Sequence, residues 1–341
     1  MDDYATPCPL HTRRGEVRRV GVEIEFGGVS LPDAAEAVRA AYGGTARQDH
    51  EHRFTVATPL GDFDVTFDSS LLSDKKYEQV LDRIGLPAGG PVQGAVEGTL
   101  RRIGGAFLPL EVGTPPIPVT RLGELNKLEQ ALRDRRAEGT RAGLLYAFAL
   151  HLNPEAPDPT DGAQVAAALR AFLLLYPWLF RHAEVDRLRR LLPFINPFPE
   201  DFARLVIDPD YAPDMAALAD DYLAANPTRN RPLDLLPLLA FNDPGLRGRP
   251  ELAGQKVSPR PTFHYRLPNS LIDEPDWSIA KEWNQWVLVE RLAGDPDLLR
   301  GLARAYLDRD RTLLGYLTDR WVRHLDEEWV PRIRAAAPTG G

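Results

Sequence analysis

Two glutamates placed two positions apart have the spacing that most directly suggests chemistry in this sequence. Glu23 and Glu25 belong to the segment Val22-Glu23-Ile24-Glu25-Phe26, whose alternation is typical of a β-strand with both glutamates on one face. Two like charges held this close raise each other's pKa unless a cation lies between them, and a hard divalent ion with oxygen ligands meets that need. Read alone, however, alternating glutamates more commonly mark the exposed side of a half-buried edge strand.

Polar side chains recur where further strands are predicted to end. Asp68 closes a run that begins at Phe63, and Glu111 precedes a Gly-Thr-Pro-Pro turn. His151 and Asn153 then follow a continuous apolar run. Oxygen-ligand metal sites are commonly assembled from such strand ends, although His151 taken alone would more often be a structural histidine. Together with the glutamate pair, the pattern favours a metal site.

Two arginine-containing segments supply the complementary charge. One carries Arg229 and Arg231, and the other runs from Arg260 through His264 to Arg266. Guanidinium groups bind phosphate with two parallel hydrogen bonds and keep their proton, so they suit the charge that develops in phosphoryl transfer. The alternative for each arginine is a helix cap or a surface ion pair.

Composition limits the class of protein. The chain has 341 residues, 43% of them hydrophobic, with a formal net charge of −8 and a pI near 5.5. This acidity argues against a nucleic-acid partner, and no uninterrupted apolar window is long enough to predict a membrane span. The N-terminal residues lack a signal-peptide pattern, which predicts a cytoplasmic protein. The single cysteine, Cys8, is expected to be a free surface thiol.

The motifs of several other protein classes are missing from the sequence. Neither Gly-x-Gly-x-x-Gly nor a P-loop motif occurs, so no dinucleotide fold or P-loop ATPase is indicated. There is also no His-Glu-x-x-His helix, no cysteine pair and no Gly-x-Ser-x-Gly elbow.

Hydrophobic periodicity predicts an α+β fold. By residue number, the predicted elements are helices at 31–41, 121–138, 163–175, 213–225, 277–293 and 297–325, a hairpin over 54–68, and strands at 18–27, 107–112, 143–152 and 262–267. For 143–152, a continuous apolar run, a helix stays open as the alternative. Residues 1–16 are expected to form a flexible leader. Since no repeat or low-complexity linker divides the rest, a single domain over 17–335 with a helical insertion at about 155–250 is favoured. Trp277, Trp283 and Trp286, near helical spacing, are predicted to be core residues.

Five of these motifs, taken in order, resemble the amidoligase family, which is related to glutamine synthetase and glutamate–cysteine ligase. They are Gly21-Val-Glu-Ile-Glu-Phe26, Phe67-Asp-Ser-Ser-Leu71, Leu110-Glu-Val-Gly-Thr-Pro-Pro116, Leu150-His-Leu-Asn153 and Arg260-Pro-Thr-Phe-His-Tyr-Arg266. The resemblance implies a curved, mostly antiparallel sheet of glutamine-synthetase type, with C-terminal helices. It also implies an ATP-dependent ligase that phosphorylates a carboxylate and lets an amine displace phosphate, with magnesium as the metal and small molecules or peptides as substrates.

The resemblance assigns roles position by position. Glu23 and Glu25 resemble a pair divided between two metal ions, and Glu111 a further metal ligand. His151 resembles a histidine that touches metal or the transferred phosphate. Asp68 resembles an active-site carboxylate, and Arg266 an arginine that binds phosphate. Nucleotide contacts are expected from Asn153, Arg229, Arg231 and Arg260.

His264 departs from the pattern, because the better-known relatives place a metal-binding glutamate two positions before that arginine. Three explanations stay open: fewer protein oxygens on one metal, a softer ion such as manganese, or a base for the incoming amine. Two other functions also stay open, a binding protein that has lost catalysis and a metal-dependent hydrolase. Oligomeric state is open as well, although the nearly complete motif set fits a site formed within one chain.

Overall fold

A computed structural model describes residues 3–67, 109–141, 148–183, 195–309 and 319–336. These residues form an α+β fold around one antiparallel sheet that does not close into a barrel, in the order β2-β3-β4-β5-β1-β7-β9-β8, with β6 paired to β1. The strands are β1 Arg19–Phe26, β2 Thr45–His50, β3 Arg53–Thr58, β4 Gly61–Phe67, β5 Leu110–Gly113, β6 Ile117–Pro118, β7 Leu150–Pro154, β8 Leu233–Asp234 and β9 His264–Tyr265. The α+β class is thus confirmed, while the glutamine-synthetase type of sheet stays a prediction.

Strand β1 lies in the interior of the sheet, paired with β5 on one side and with β7 on the other. Its four apolar side chains are at most 1% exposed: Val20, Val22, Ile24 and Phe26. Because alternate residues face opposite sides of a strand, Glu23 and Glu25 lie together on the other face. The exposed edge strand, the commoner outcome for such a pair, is therefore wrong for these glutamates.

Helices cover the apolar side of the sheet and make up just over half of the described residues after β7. They are α1 Leu31–Tyr42, α2 Leu125–Asp134, α3 Gly162–His182, α4 Glu200–Ile207, α5 Met215–Ala225, α6 Leu236–Asn242, α7 Ile279–Ala293, α8 Pro296–Arg309, α9 Asp319–His324 and α10 Val330–Ala335. Helix α1 packs on β3 and β4, where Tyr42 stacks on Phe63 at 4.9 Å between ring centroids. The predicted tryptophan core is confirmed, since Trp277, Trp283 and Trp286 are at most 5% exposed.

The predicted boundaries differ from the structure where local chemistry overrides periodicity. The helix predicted over 121–138 begins as a 3-10 turn, Val119–Glu124, and its α-helical part ends at Asp134. The strand predicted over 262–267 shortens to His264–Tyr265, and prolines at 261 and 268, which cannot donate to a sheet, flank the segment. Strand β2 was missed, since all six of its residues are exposed and leave no apolar alternation.

The first residues of the chain are bound to helix α7. The side-chain amide oxygen of Asn284 accepts from the Ala5 N–H at 2.7 Å, and the Trp283 indole donates to the Ala5 carbonyl at 2.8 Å. Cys8 is only 8% exposed, and burial raises the pKa of its thiol. The free surface thiol predicted from the sequence is therefore wrong, because the leader packs on the core. The mobility of residues 1–16 and the single domain with a helical insertion at about 155–250 stay predictions.

A buried ion pair fixes this arrangement. The guanidinium of Arg18, fully buried, donates to both carboxylate oxygens of Glu290 at 2.8 and 2.5 Å and to the carbonyls of Pro9 and Glu155. The Trp286 indole donates to the same carboxylate at 2.7 Å. The pair thus joins the N-terminal segment, the end of β7 and helix α7.

Replacing Glu290 by glutamine should cost about 3–5 kcal/mol of unfolding free energy, because it leaves a buried guanidinium uncompensated. Urea denaturation followed by circular dichroism measures the loss. Glu36→Gln, which breaks the exposed pair with Arg39, is the matched control and should leave the urea midpoint unchanged. A Glu290→Gln midpoint equal to that of the wild type would show that the pair does not hold the segments together.

Helix α3 is long and apolar enough, by length and composition only, to cross a membrane. Its best window has a mean hydropathy of 1.4, and 78% of that window is buried within the protein. Phe172 of this helix packs on Tyr265 of β9. Such burial is what a core helix produces, so the helix is weak support for a membrane span.

Candidate functional site

One face of the sheet carries polar side chains across β4, β5, β1, β7, β9 and β8. The antiparallel register places them in cross-strand rows, where opposite side chains lie about 4.5–5.5 Å apart at Cβ. We call this surface the polar face, and its residues are Asp62, Asp64, Thr66, Glu111, Glu23, Glu25, His151, Asn153, His264, Arg266 and Asp234. The sequence-predicted residues Glu23, Glu25, Glu111, His151, Asn153, His264 and Arg266 are therefore brought onto one surface.

The central cluster of the polar face consists of Glu23, Glu25, Glu111 and His151. Glu25 is opposite Glu111 in the β1–β5 register, and Glu23 is opposite His151 in the β1–β7 register. Ligand atoms of Glu23, Glu111 and His151 lie within 4.8 Å of one another. Nε2 of His151 is also 3.9 Å from Oε1 of Glu25. Residues from β1, β5 and β7 thus converge on one small volume.

Hydrogen bonds orient the ligands of the central cluster. Nδ1 of His151 is 3.0 Å from Oε2 of Glu23, and Nδ2 of Asn153 donates to Oε1 of Glu23 at 2.9 Å. The Ala149 N–H donates to Oε2 of Glu25 at 2.8 Å. A carboxylate can only accept, so Nδ1 of His151 donates this hydrogen bond to Glu23. In a neutral imidazole, Nε2 then keeps its lone pair and can bind a metal ion.

Glu23 is held in its charged form. Burial alone would raise the pKa of its carboxyl, but the hydrogen bond with His151 and the nearby guanidinium of Arg266 more than offset this, and the pKa is lowered. A carboxylate ionised at neutral pH is the form that binds a cation.

The donor set fits a divalent cation. Carboxylate oxygens with one imidazole suit magnesium less well than manganese, because the imidazole is the softer ligand. The ligand atoms are at most 4.8 Å apart, close to the separation of about 4.2 Å between opposite ligands of magnesium, so a bound ion would need only a small inward movement of the side chains or a bridging water. An additional acceptor is available beside them, since the buried Oδ1 of Asn153 has no hydrogen-bond partner among the described residues.

Two glycines leave room above Glu23 on the polar face. Gly113 lies opposite Glu23 in the β1–β5 register and opposite Asp64 in the β4–β5 register. Gly21, two positions before Glu23, faces Asn153. A Cβ added at either glycine would meet its nearest neighbour at 3.8 Å, an ordinary contact. The backbone conformation therefore does not require glycine at either position. The missing side chains leave space for a ligand above Glu23.

We expect Gly113→Val to block ligand binding without unfolding the protein. Valine favours strands and its Cβ has space, but its methyl groups would project over Glu23. Thermal stabilisation by magnesium with the ATP analogue AMPPNP should disappear, while the Tm without ligand should stay the same or rise. Gly123→Val, in the 3-10 turn before α2 and with open space at its Cβ, is the control. If Gly113→Val keeps the full ligand-induced shift, the space above Glu23 is not the binding site.

A second group, the Asp234 cluster, contains Asp234, Arg229, His264 and Arg266. Asp234 is fully buried and accepts from Nε of Arg229 at 2.9 Å, with Nη2 of Arg266 at 3.8 Å from the same oxygen. His264 is opposite Asp234 in the β8–β9 register. Tyr265 packs on Trp286 in the core, with 5.5 Å between the ring centroids. Because alternate residues face opposite sides of a strand, His264 and Arg266 on either side of it face the polar side.

His264 is neutral at pH 7. Burial, the largest cause, and the charge of Arg266 lower its pKa to about 4, although Asp234 and Glu23 oppose the shift. The Asp234 cluster therefore has two guanidinium groups against one carboxylate, a net positive charge next to the acidic central cluster. Such a site attracts an anion.

Arg231, Arg260 and Asp68 are the remaining sequence-predicted residues. Arg231 does not join the Asp234 cluster, because its guanidinium donates to Asn226 and to the Pro197 carbonyl. Arg260 is exposed and lies outside the cluster as well. Asp68 falls outside the described residues. The roles of these three stay predictions.

The sequence did not single out Asp234 or the two glycines. Asp234 stands two positions after Pro232 in the arginine-rich segment, and only the pairing of β8 with β9 brings it to His264. Gly113 was predicted to begin the turn after the strand at 107–112, whereas Gly21 was visible inside a predicted strand, where glycine is unfavourable unless a close approach requires it. That conflict was the available signal.

Comparison with known proteins gives one match. A family model described as "Putative amidoligase enzyme" matches residues 16–288. This stretch contains the central cluster, the Asp234 cluster and both glycines. No curated protein and no solved structure matches the chain.

Proposed function

The chain belongs to this amidoligase family, and on that premise we propose that it is an ATP-dependent carboxylate–amine ligase, related to glutamine synthetase and glutamate–cysteine ligase. ATP would phosphorylate a carboxylate, and an amine would then displace phosphate to form an amide or isopeptide bond. The observation that carries the proposal is the placement of an acidic, metal-compatible cluster beside a net positive one on the same polar face. Phosphoryl transfer needs both.

The central cluster would serve the metal. Glu23, Glu25, Glu111 and His151 would hold magnesium or manganese, which neutralises the triphosphate and the charge that develops on the transferred group. His151 is oriented for this task by its bond to Glu23. Asn153 holds the same carboxylate from the other side.

The Asp234 cluster would bind phosphate. Arg266, 15% exposed at its side chain, would contact the transferring phosphoryl group, and its fork of N–H donors matches phosphate oxygens. Arg229, with Arg231 and Arg260 further away, would contribute to nucleotide binding, and Asp68 would act on the substrates. Both substrates would be small molecules or peptides.

Among the roles open to His264, the base is the least favoured. An imidazole whose pKa is about 4 is a weak base, and a general base works best with a pKa near the pH of the reaction. A neutral, buried imidazole is more consistent with a softer metal ion or with fewer protein oxygens on one metal. Manganese should therefore support the reaction at least as well as magnesium.

Thermal denaturation with AMPPNP tests the function. At a ligand concentration of about 100 times Kd, binding should add about 2.7 kcal/mol to the unfolding free energy, and the shift should require a divalent metal. AMPPNP alone and metal alone are the controls. Stabilisation by metal without any effect of AMPPNP would contradict the proposal and favour a hydrolase, and no effect of either would favour a binding protein.

A further inference from the structure

Asp234 is a buried carboxylate to which no role has been given so far. Its side chain is fully buried between two arginines, and a charge in that position is costly unless it is paired. Its two oxygens have different partners. Oδ1 accepts from the Leu236 N–H at 3.0 Å at the start of α6, and Oδ2 accepts from Arg229. The carboxylate is therefore fixed from two directions.

Arg229 acts as a brace for this carboxylate. Its Nε donates to Asp234 at 2.9 Å, and its Nη1 donates to the Lys256 carbonyl at 2.9 Å. Both ends of the guanidinium are thus held by the protein. Arg266 forms a longer ion pair with the same carboxylate, with its Nη2 3.8 Å from Oδ2 of Asp234. The backbone N–H of Arg266 donates to the carbonyl of Pro232, two residues before Asp234.

We infer that Asp234 is a positioning residue, which sets the direction of the Arg266 guanidinium toward the phosphate of the nucleotide while Arg229 holds Asp234 in place. The inference rests on the proposed function and deepens it, since it assigns the task of orienting the phosphate-binding arginine to a residue that touches no substrate. An arginine that is mobile in the free protein loses conformational entropy when it binds phosphate, which weakens binding. A braced one meets the phosphate already aligned.

The direction in which Asp234→Asn changes nucleotide affinity distinguishes a positioning role from two simpler roles. If Asp234 acted only through its charge, Asp234→Asn would remove a negative charge near the phosphate site and tighten nucleotide binding. If it were only structural, the substitution would lower the Tm and leave the affinity of the folded protein unchanged. Positioning predicts weaker binding in spite of the favourable change in charge.

Titration calorimetry with AMPPNP and magnesium measures the affinity. We expect Asp234→Asn to raise Kd about tenfold, which equals about 1.4 kcal/mol. Arg266→Lys should raise Kd by a similar factor, and the double variant should be little weaker than either single one, because Asp234 acts through Arg266. Asp220→Asn, which breaks the exposed pair with Arg249, is the control and should match the wild type. Tighter or unchanged binding by Asp234→Asn, or multiplicative losses in the double variant, would overturn the inference.

Two further measurements keep the test decisive. If Asp234→Asn does not fold, Arg229→Lys takes its place, because it keeps the positive charge but removes the Nε donor to Asp234; its Kd should rise in the wild-type background and should not rise further in an Arg266→Lys background. If the wild type binds no AMPPNP, the proposed function fails. A crystal structure of Asp234→Asn then decides the inference alone, because Arg266 should leave its position and an unmoved guanidinium would refute it.

Discussion

Glu23→Gln is expected to lose metal binding by at least about 100-fold, and with it all magnesium-dependent binding of AMPPNP. The reason lies in the geometry of the central cluster. Glu23 both faces the shared volume with Glu111 and His151 and fixes the imidazole of His151. Glutamine keeps the volume but not the charge, and its amide cannot accept hydrogen bonds from both neighbours. A single substitution therefore removes one ligand and misorients another.

Electron paramagnetic resonance of Mn²⁺ measures this loss directly, without any knowledge of the substrates. Asp62→Asn is the matched control, because Asp62 lies exposed on the same polar face and its replacement removes the same charge. It should bind Mn²⁺ with an affinity close to that of the wild type. Circular dichroism must show that both variants are folded. Equal Mn²⁺ affinity of Glu23→Gln and the wild type would mean that the central cluster is not a metal site.

The sequence could indicate the residues of the central cluster because each lies in, or directly after, an apolar pattern that is recognisable as a strand. The apolar residues that alternate with Glu23 and Glu25 made β1 recognisable. The apolar run before His151 did the same for β7. Their distances could not be predicted. They depend on which strands pair and in which register, and β1 is joined to β5 across more than eighty residues of chain.

The Asp234 cluster was less predictable for a physical reason. Strands β8 and β9 have two residues each, too few for any periodic signal. Arginines of this region were predicted to bind nucleotide, but nothing in the sequence distinguished Arg229 from Arg231. The Arg229 guanidinium donates to the buried Asp234 carboxylate, whereas that of Arg231 donates to the Asn226 side chain and the Pro197 carbonyl. Only tertiary packing distinguishes the two.

Arg266→Gln is expected to lower the rate of phosphate release from ATP by about 1000-fold, the range in which an arginine stabilises phosphoryl transfer. Uncoupled hydrolysis of ATP with magnesium, followed by phosphate release, measures it even while the acceptor is unidentified. Binding of AMPPNP should weaken far less, by about tenfold, because the arginine matters most for the charge that appears in the transition state. The loss should thus fall mainly on the rate.

Arg231→Gln is the informative comparison for Arg266→Gln. Arg231 lies in the arginine-rich segment but its guanidinium is bound to Asn226 and Pro197, so its replacement should lower the Tm and weaken AMPPNP binding only slightly, while the rate per folded molecule at saturating ATP stays near that of the wild type. If Arg231→Gln instead loses the rate and Arg266→Gln keeps it, the phosphate is bound on the other side of this segment. The orientation of the nucleotide over the polar face would then be reversed, with the Asp234 cluster as a structural brace and not a phosphate site.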